Sequence, residues 1–95
     1  MNDNFLSNWF FKGNRGVYID TRFIEDPNCN CYETMVFRAT KYDNDKKDFD
    51  PEEYEMNRYN NWSDAEKGHK ELYEKWKKIV CKMPDGDIAY FQKED

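Results

Sequence analysis

The segment from Ser63 to Met83 constrains the fold most. Ala65, His69, Leu72, Trp76, Ile79, Val80 and Met83 recur at intervals of three and four residues, apart from the adjacent Ile79 and Val80. That spacing places them on one face of an α-helix. Ser63-Asp64-Ala65-Glu66 has the form of a capping box. Ser63 is therefore expected at the N-cap, with its hydroxyl on the Glu66 backbone N–H and the Glu66 carboxylate reaching back. Glu66–Lys70, Glu71–Lys75 and Glu74–Lys78 are charge pairs one turn apart. Pro84 stops the helix. A long helix with one apolar side needs a second layer to cover it, and the rest of the chain must supply that layer.

Strand patterns supply it. In Val17–Ile24, Val17, Ile19, Thr21 and Phe23 point one way, and Tyr18, Asp20 and Arg22 the other. In Cys31–Thr40, Met35, Phe37 and Ala39 oppose Tyr32, Thr34, Val36 and Arg38. The turn residues Glu25–Asn30 join the two segments closely enough for an antiparallel hairpin. Glu33 falls in register with Met35 and Phe37, at the wet end of its strand or held by a cation. Tyr54–Tyr59 reads as a third strand, with Tyr54, Met56 and Arg58 alternating against Glu55, Asn57 and Tyr59. Asp87–Phe91 reads as a further, edge strand. Phe5, Leu6, Trp9 and Phe10 fit one face of a short N-terminal helix that ends at the Gly13–Gly16 turn. The expected fold is α+β: an antiparallel sheet of three to four strands, one long helix packed across it, and a short helix at the start. Residues 1–15 form an aromatic N-terminal segment and residues 16–95 a single domain.

Composition fits a small folded domain. The chain has 95 residues, which leaves room for one core. Charged residues are 37 % and the mean hydropathy is -1.22, values that suit disorder. Seven Phe, seven Tyr and three Trp argue for an aromatic core instead. A net charge of -5 argues against non-specific binding to nucleic acid. Lys and Arg are interleaved throughout, so the surface is not a DNA mimic either. No stretch approaches the length of a membrane span. Met1-Asn2-Asp3-Asn4 lacks the basic start of a signal peptide, so a cytoplasmic location is expected.

Metal sites fit poorly. Cys29 and Cys31 stand in a C-x-C, with Cys81 and His69 far downstream. The spacing does not suit a structural zinc site, and the cysteines read as free thiols. Lys41–Glu53 carries Asp43, Asp45, Asp48 and Asp50, but it lacks the glycine and the terminal glutamate of a calcium loop. It reads as a solvated loop. No metal and no cofactor is expected.

Tyr32-Glu33-Thr34-Met35-Val36-Phe37, then Arg58-Tyr59-Asn60, Trp62, Ala65, Gly68 and His69 form a pattern. It resembles a widespread family of small uncharacterised bacteriophage and prophage proteins. These share an aromatic-E-T-M-V-F strand, an R-Y segment with a following Trp, and a helix carrying A-x-x-G-H. The resemblance covers about residues 16–80. The chain departs from the family at Ile19–Phe23, where members carry Leu-Gly-x-Asp-His, and at Arg38-Ala39, where they often carry Gly-Gly. The resemblance implies the fold and a phage origin. It implies no particular activity.

The residues suited to recognition are Arg22, Arg38 and Arg58 with Tyr32, Tyr59 and Trp62, because guanidinium forks and aromatic planes read phosphates and bases. Glu33 and His69 complete the set. His69 is the one histidine, and it reads as a core residue bonded to a neighbouring strand, with Glu33 a possible partner. Gly68 beside it allows close approach of a strand or a ligand. No complete catalytic motif occurs. The sequence points to a small non-enzymatic phage-type binding protein in the host cytoplasm. It would inhibit host defence by sequestering a nucleotide immune signal or by blocking a defence protein. A nucleotide-acting enzyme using His69, and a structural or regulatory phage accessory protein, are the alternatives. Trp9, Phe10 and Phe11 add apolar surface that one small domain struggles to cover, so a homo-oligomer contacting through them is expected.

Overall fold

A computed structural model describes residues 4–26 and 29–82. Four strands, β1 (Phe5–Lys12), β2 (Arg15–Asp26), β3 (Cys29–Lys41) and β4 (Lys47–Tyr59), precede one helix, α1 (Trp62–Cys81). The strands form one antiparallel sheet in the order β1-β2-β3-β4. The helix crosses one face of it. The fold is α+β, and among the described residues no helix is long and apolar enough to cross a membrane. The expected strand at Asp87–Phe91 and the stripe residue Met83 lie outside the described residues.

The N-terminal helix is a correction: residues 5–12 form β1. Gly13-Asn14 makes a two-residue turn, with Lys12 paired to Arg15 and Gly13 at φ 66°. The Lys41 N–H donates to the Asn14 carbonyl at 2.8 Å and ties the turn to β3. The spacing of Phe5, Leu6, Trp9 and Phe10 mimicked a helix because β1 carries large side chains on both sides. Phe10 packs toward the helix, while Trp9 and Phe11 stack on each other on the opposite side. A strand with apolar residues on both faces shows no period of two.

The loop expected at 41–53 is also shorter. A turn occupies 42–46, closed by Tyr42 N–H to the Lys46 carbonyl at 2.8 Å, and β4 starts at Lys47. Its charged residues suit a strand whose outer side faces water. Between Val36 and Ala39 the register shifts: three steps along β3 face the six steps from Glu55 back to Phe49. The extra β4 residues bend the strand. Tyr54 breaks the expected alternation for this reason, and its ring stacks on Trp76 of the helix at 5.4 Å.

The core is Val17, Ile19, Val36, Leu72 and Val80, with Phe10, Tyr73 and Trp76 packed against it. Ala65 and His69 are buried on the helix, as the stripe predicts, and Gly68 beside them is buried as well. The cap differs from expectation. Asn61 is the N-cap, extended at φ -144°, and its side-chain oxygen accepts from the Asp64 N–H at 2.8 Å. Ser63 lies within the first turn. Asn61→Ala should therefore cost about 1 kcal/mol in urea unfolding, and Ser63→Ala much less.

The free-thiol reading holds for Cys81, which is exposed, and fails for Cys31, which is disulfide-bonded. A spacing that suits no zinc site does not exclude a disulfide.

Candidate functional site

Alternation along each strand, combined with the register, gives the sheet two different faces. Asn8, Ile19, Thr21, Thr34, Val36, Asn57 and Tyr59 fall on the side of the helix. Ser7, Trp9, Tyr18, Asp20, Arg22, Glu33, Met35, Phe37, Met56 and Arg58 fall on the side without one.

His69 closes a buried chain of hydrogen bonds on the helix side. Thr21 Oγ1 lies 2.6 Å from Thr34 Oγ1 and 2.7 Å from His69 Nδ1. His69 Nε2 lies 2.7 Å from Asn8 Oδ1. A neutral ring fits this chain: Nε2–H donates to the Asn8 oxygen, and Nδ1 accepts from the Thr21 hydroxyl, which itself accepts from Thr34. The residue is 2 % exposed, and burial lowers its pKa, with Asp20 opposing weakly by its charge. The partner is thus Thr21 together with Asn8. Glu33 sits on the other face, in an ion pair with Arg58 at 3.1 Å. Both ring nitrogens are occupied, so His69 is not presented to a substrate.

The depressed pKa sets a pH dependence. The unfolded ring binds a proton near pH 6.5 and the folded ring only at lower pH. Stability is therefore full above about pH 6.5 and declines as pH falls through the folded value. Urea titrations of the wild type and of His69→Asn at pH 7.5 and pH 5.5 should show the slope in the wild type alone. Glu55 does not interfere in that window. Burial pushes its carboxyl up, but hydrogen bonds from Lys75 and Trp76 bring it below its usual range.

Gly68 is pressed against the Tyr59 ring rather than against backbone; a Cβ there would meet the Tyr59 hydroxyl and ring edge. Burial raises the Tyr59 phenol pKa. Tyr32 lies between Phe23, which it meets edge-on, and Trp62, which it meets at a tilt, each ring centre 5.3 Å away. Tyr32, Tyr59, Trp62 and His69 therefore hold the start of α1 on the sheet. Arg38 is separate again. It pairs with Val17 in register and reaches Asp50 at 3.4 Å, beside a polar recess shared with Thr40, Asp48 and Phe49.

The helix-free face gathers the remaining site residues. Arg22, Glu33 and Arg58 are cross-strand neighbours in one row. Beside them the Asp20 carboxylate is buried under Arg22. Arg22 Nε donates to Oδ2 at 2.6 Å and Nη2 to Oδ1 at 2.8 Å. Ser7 and the Tyr18 hydroxyl add bonds of 3.2 and 3.1 Å. The Asp20 hydrogen bond and charge raise the Arg22 pKa.

Beyond that network lies a ring cluster. Trp9 contacts Tyr18 at 4.3 Å and Phe11 at 5.9 Å. Phe49, brought over by the bend in β4, lies 4.8 Å from Tyr18, 4.9 Å from Phe37 and 6.1 Å from Trp9. It remains 41 % exposed. Lys41 and Lys47 place their ammonium groups 5.7 Å from Phe11 and 5.9 Å from Trp9. The two lysines, partners in register, stand at one end of this aromatic surface, and the row of Arg22, Glu33 and Arg58 stands at the other.

Sequence reasoning did not single out Tyr18, Asp20, Phe37 or Phe49, and it put Trp9 and Phe11 on a helix. Tyr18 with Arg22, and Phe37 with Met35, were visible as period-two neighbours; only the register of β2 on β3 joins them. No protein-family model matches the chain, and no curated protein and no solved structure matches it either.

Proposed function

We propose that the protein is a non-catalytic binding protein of the bacteriophage type, which inhibits host defence by sequestering a nucleotide immune signal in the host cytoplasm. One observation carries the reading: the helix-free face presents stacked rings with cationic groups at either end. A base stacks on Trp9, Tyr18 and Phe49, and its phosphates reach Arg58 or the lysines. The alternative of an enzyme acting through His69 loses ground, because both ring nitrogens are bonded inside the core.

Calorimetry and mass spectrometry of the protein against cyclic dinucleotides and ADP-ribose derivatives test this. Intact ligand recovered from the complex supports sequestration. An altered ligand makes the protein an enzyme. Neither binding nor turnover assigns the face to a host defence protein or to a structural role. Arg58 is the cleaner probe among the arginines. Its exposed pair with Glu33 contributes little stability, whereas removing Arg22 strands the buried Asp20 charge. Arg58→Ala should weaken nucleotide binding about tenfold or more and leave the melting temperature nearly unchanged. Equal loss of both would make Arg58 structural.

A further inference from the structure

The two outer strands of the sheet are built differently. β4 carries Pro51, a bulge and a run of charges, the devices that keep an edge from pairing with another chain. β1 has none of them. From Phe5 to Phe11 it reads Phe-Leu-Ser-Asn-Trp-Phe-Phe, with no charge and no proline. It runs straight through eight residues in unbroken register with β2. Among the described residues its other side meets no strand. Phe5 at its start is 65 % exposed.

We infer that β1 pairs antiparallel with β1 of a second copy, making one eight-stranded sheet about a two-fold axis. A strand is self-complementary in this arrangement, since each copy offers the same row of donors and acceptors in reverse. Residues opposite each other across a pair share a face, which restricts the axis to a residue rather than a gap between two. Centring it on Asn8 pairs Phe5 with Phe11, Leu6 with Phe10 and Ser7 with Trp9. Centring it on Trp9 would set Leu6 against Lys12. The Asn8 register therefore opposes apolar groups on both faces and leaves Lys12 beyond the pairing.

A second copy is favoured over a partner of other chemistry because the edge is neutral. It attracts no charged peptide, and two identical uncharged strands do not repel. The pairing also completes the helix-free face. The second copy's Phe5 lies beside Phe11, which stacks on Trp9, and extends the ring surface across the axis. The inference does not depend on nucleotide binding, and its test uses no ligand.

Light scattering and sedimentation of the full chain up to high micromolar concentration read the association state. A dimer is expected. In a mixture of labelled and unlabelled protein, isotope-filtered NOEs should join Ser7 of one copy to Trp9 of the other. Phe5→Lys should raise the dimer dissociation constant about 100-fold or more, because both copies lose a buried ring. The monomer should keep its circular dichroism and melting temperature, since Phe5 is exposed within it. A monomer at high concentration overturns the proposal. If its β1 amides resist hydrogen exchange, the chain covers its own edge. A dimer that lacks the NOE, or is indifferent to Phe5→Lys, puts the interface elsewhere and also overturns it.

Discussion

Trp76→Ala should destabilise the fold by about 3–5 kcal/mol, a large share of what a domain this size has. The ring packs against the core cluster of β2, β3 and helix residues and stacks on Tyr54 at 5.4 Å. Its Nε1–H donates to Glu55 Oε1 at 2.9 Å. Truncation opens a cavity between helix and sheet and removes one of the bonds that hold Glu55 ionised. The carboxylate keeps Lys75 at 2.8 Å, so the larger loss is burial, not charge. Trp76→Phe separates the two: it retains the stack and most of the volume, and should cost roughly 1–2 kcal/mol. Urea unfolding followed by circular dichroism measures both, with midpoints shifted and slopes unchanged. A loss under about 1 kcal/mol for the alanine variant would place the ring outside the core.

The helix, β2 and β3 were legible because each buries a face with its own period. The stripe from Ala65 to Val80 repeats every three to four residues, and Val17, Ile19 and Thr21 repeat every two. β1 was not legible because Phe10 serves one side of the sheet while Trp9 and Phe11 serve the other. The first half of β4 was hidden by edge charges that look like loop. The cap shows a different limit. Asn61 and Ser63 are both good N-cap residues, and only the extended backbone at Asn61 decides between them.

For the site, residue type was readable and grouping was not. Arg22, Glu33 and Arg58 stand in one row only because β2, β3 and β4 pair in this register. Tyr32, Tyr59, Trp62 and His69 answer the same chemical description, yet they fall on the helix side and work in packing. The burial of His69 followed from the stripe. Its partners Thr21 and Asn8 did not, since Asn8 reaches it only if β1 is a strand beside β2.

Gly16→Ala should unfold more of the protein than the same change at Gly13 or Gly68, the other glycines among the described residues. Gly16 faces Phe11 across the β1–β2 hairpin. A Cβ there would meet the Phe10 carbonyl oxygen, its carbon at 2.7 Å and the Phe11 Cα at 2.8 Å. All three are backbone atoms, so no side-chain rotation relieves the overlap. Either β1 moves away from β2, breaking the pairing that places Asn8 on His69 and Trp9 on Tyr18, or the hairpin stays unformed. The expected cost is about 3 kcal/mol or more, at the upper end of overpacking. Gly13→Ala is the matched control. Gly13 has a left-handed φ of 66° but no atom within 4 Å of the added methyl, so it should cost only about 1 kcal/mol of backbone strain. If the two variants melt together, the close approach at Gly16 is relieved cheaply. If Gly16→Ala also exposes the β1 amides to hydrogen exchange while β3 stays protected, the damage is confined to β1. The ring cluster would then lose Trp9 and Phe11 while keeping Tyr18, Phe37 and Phe49.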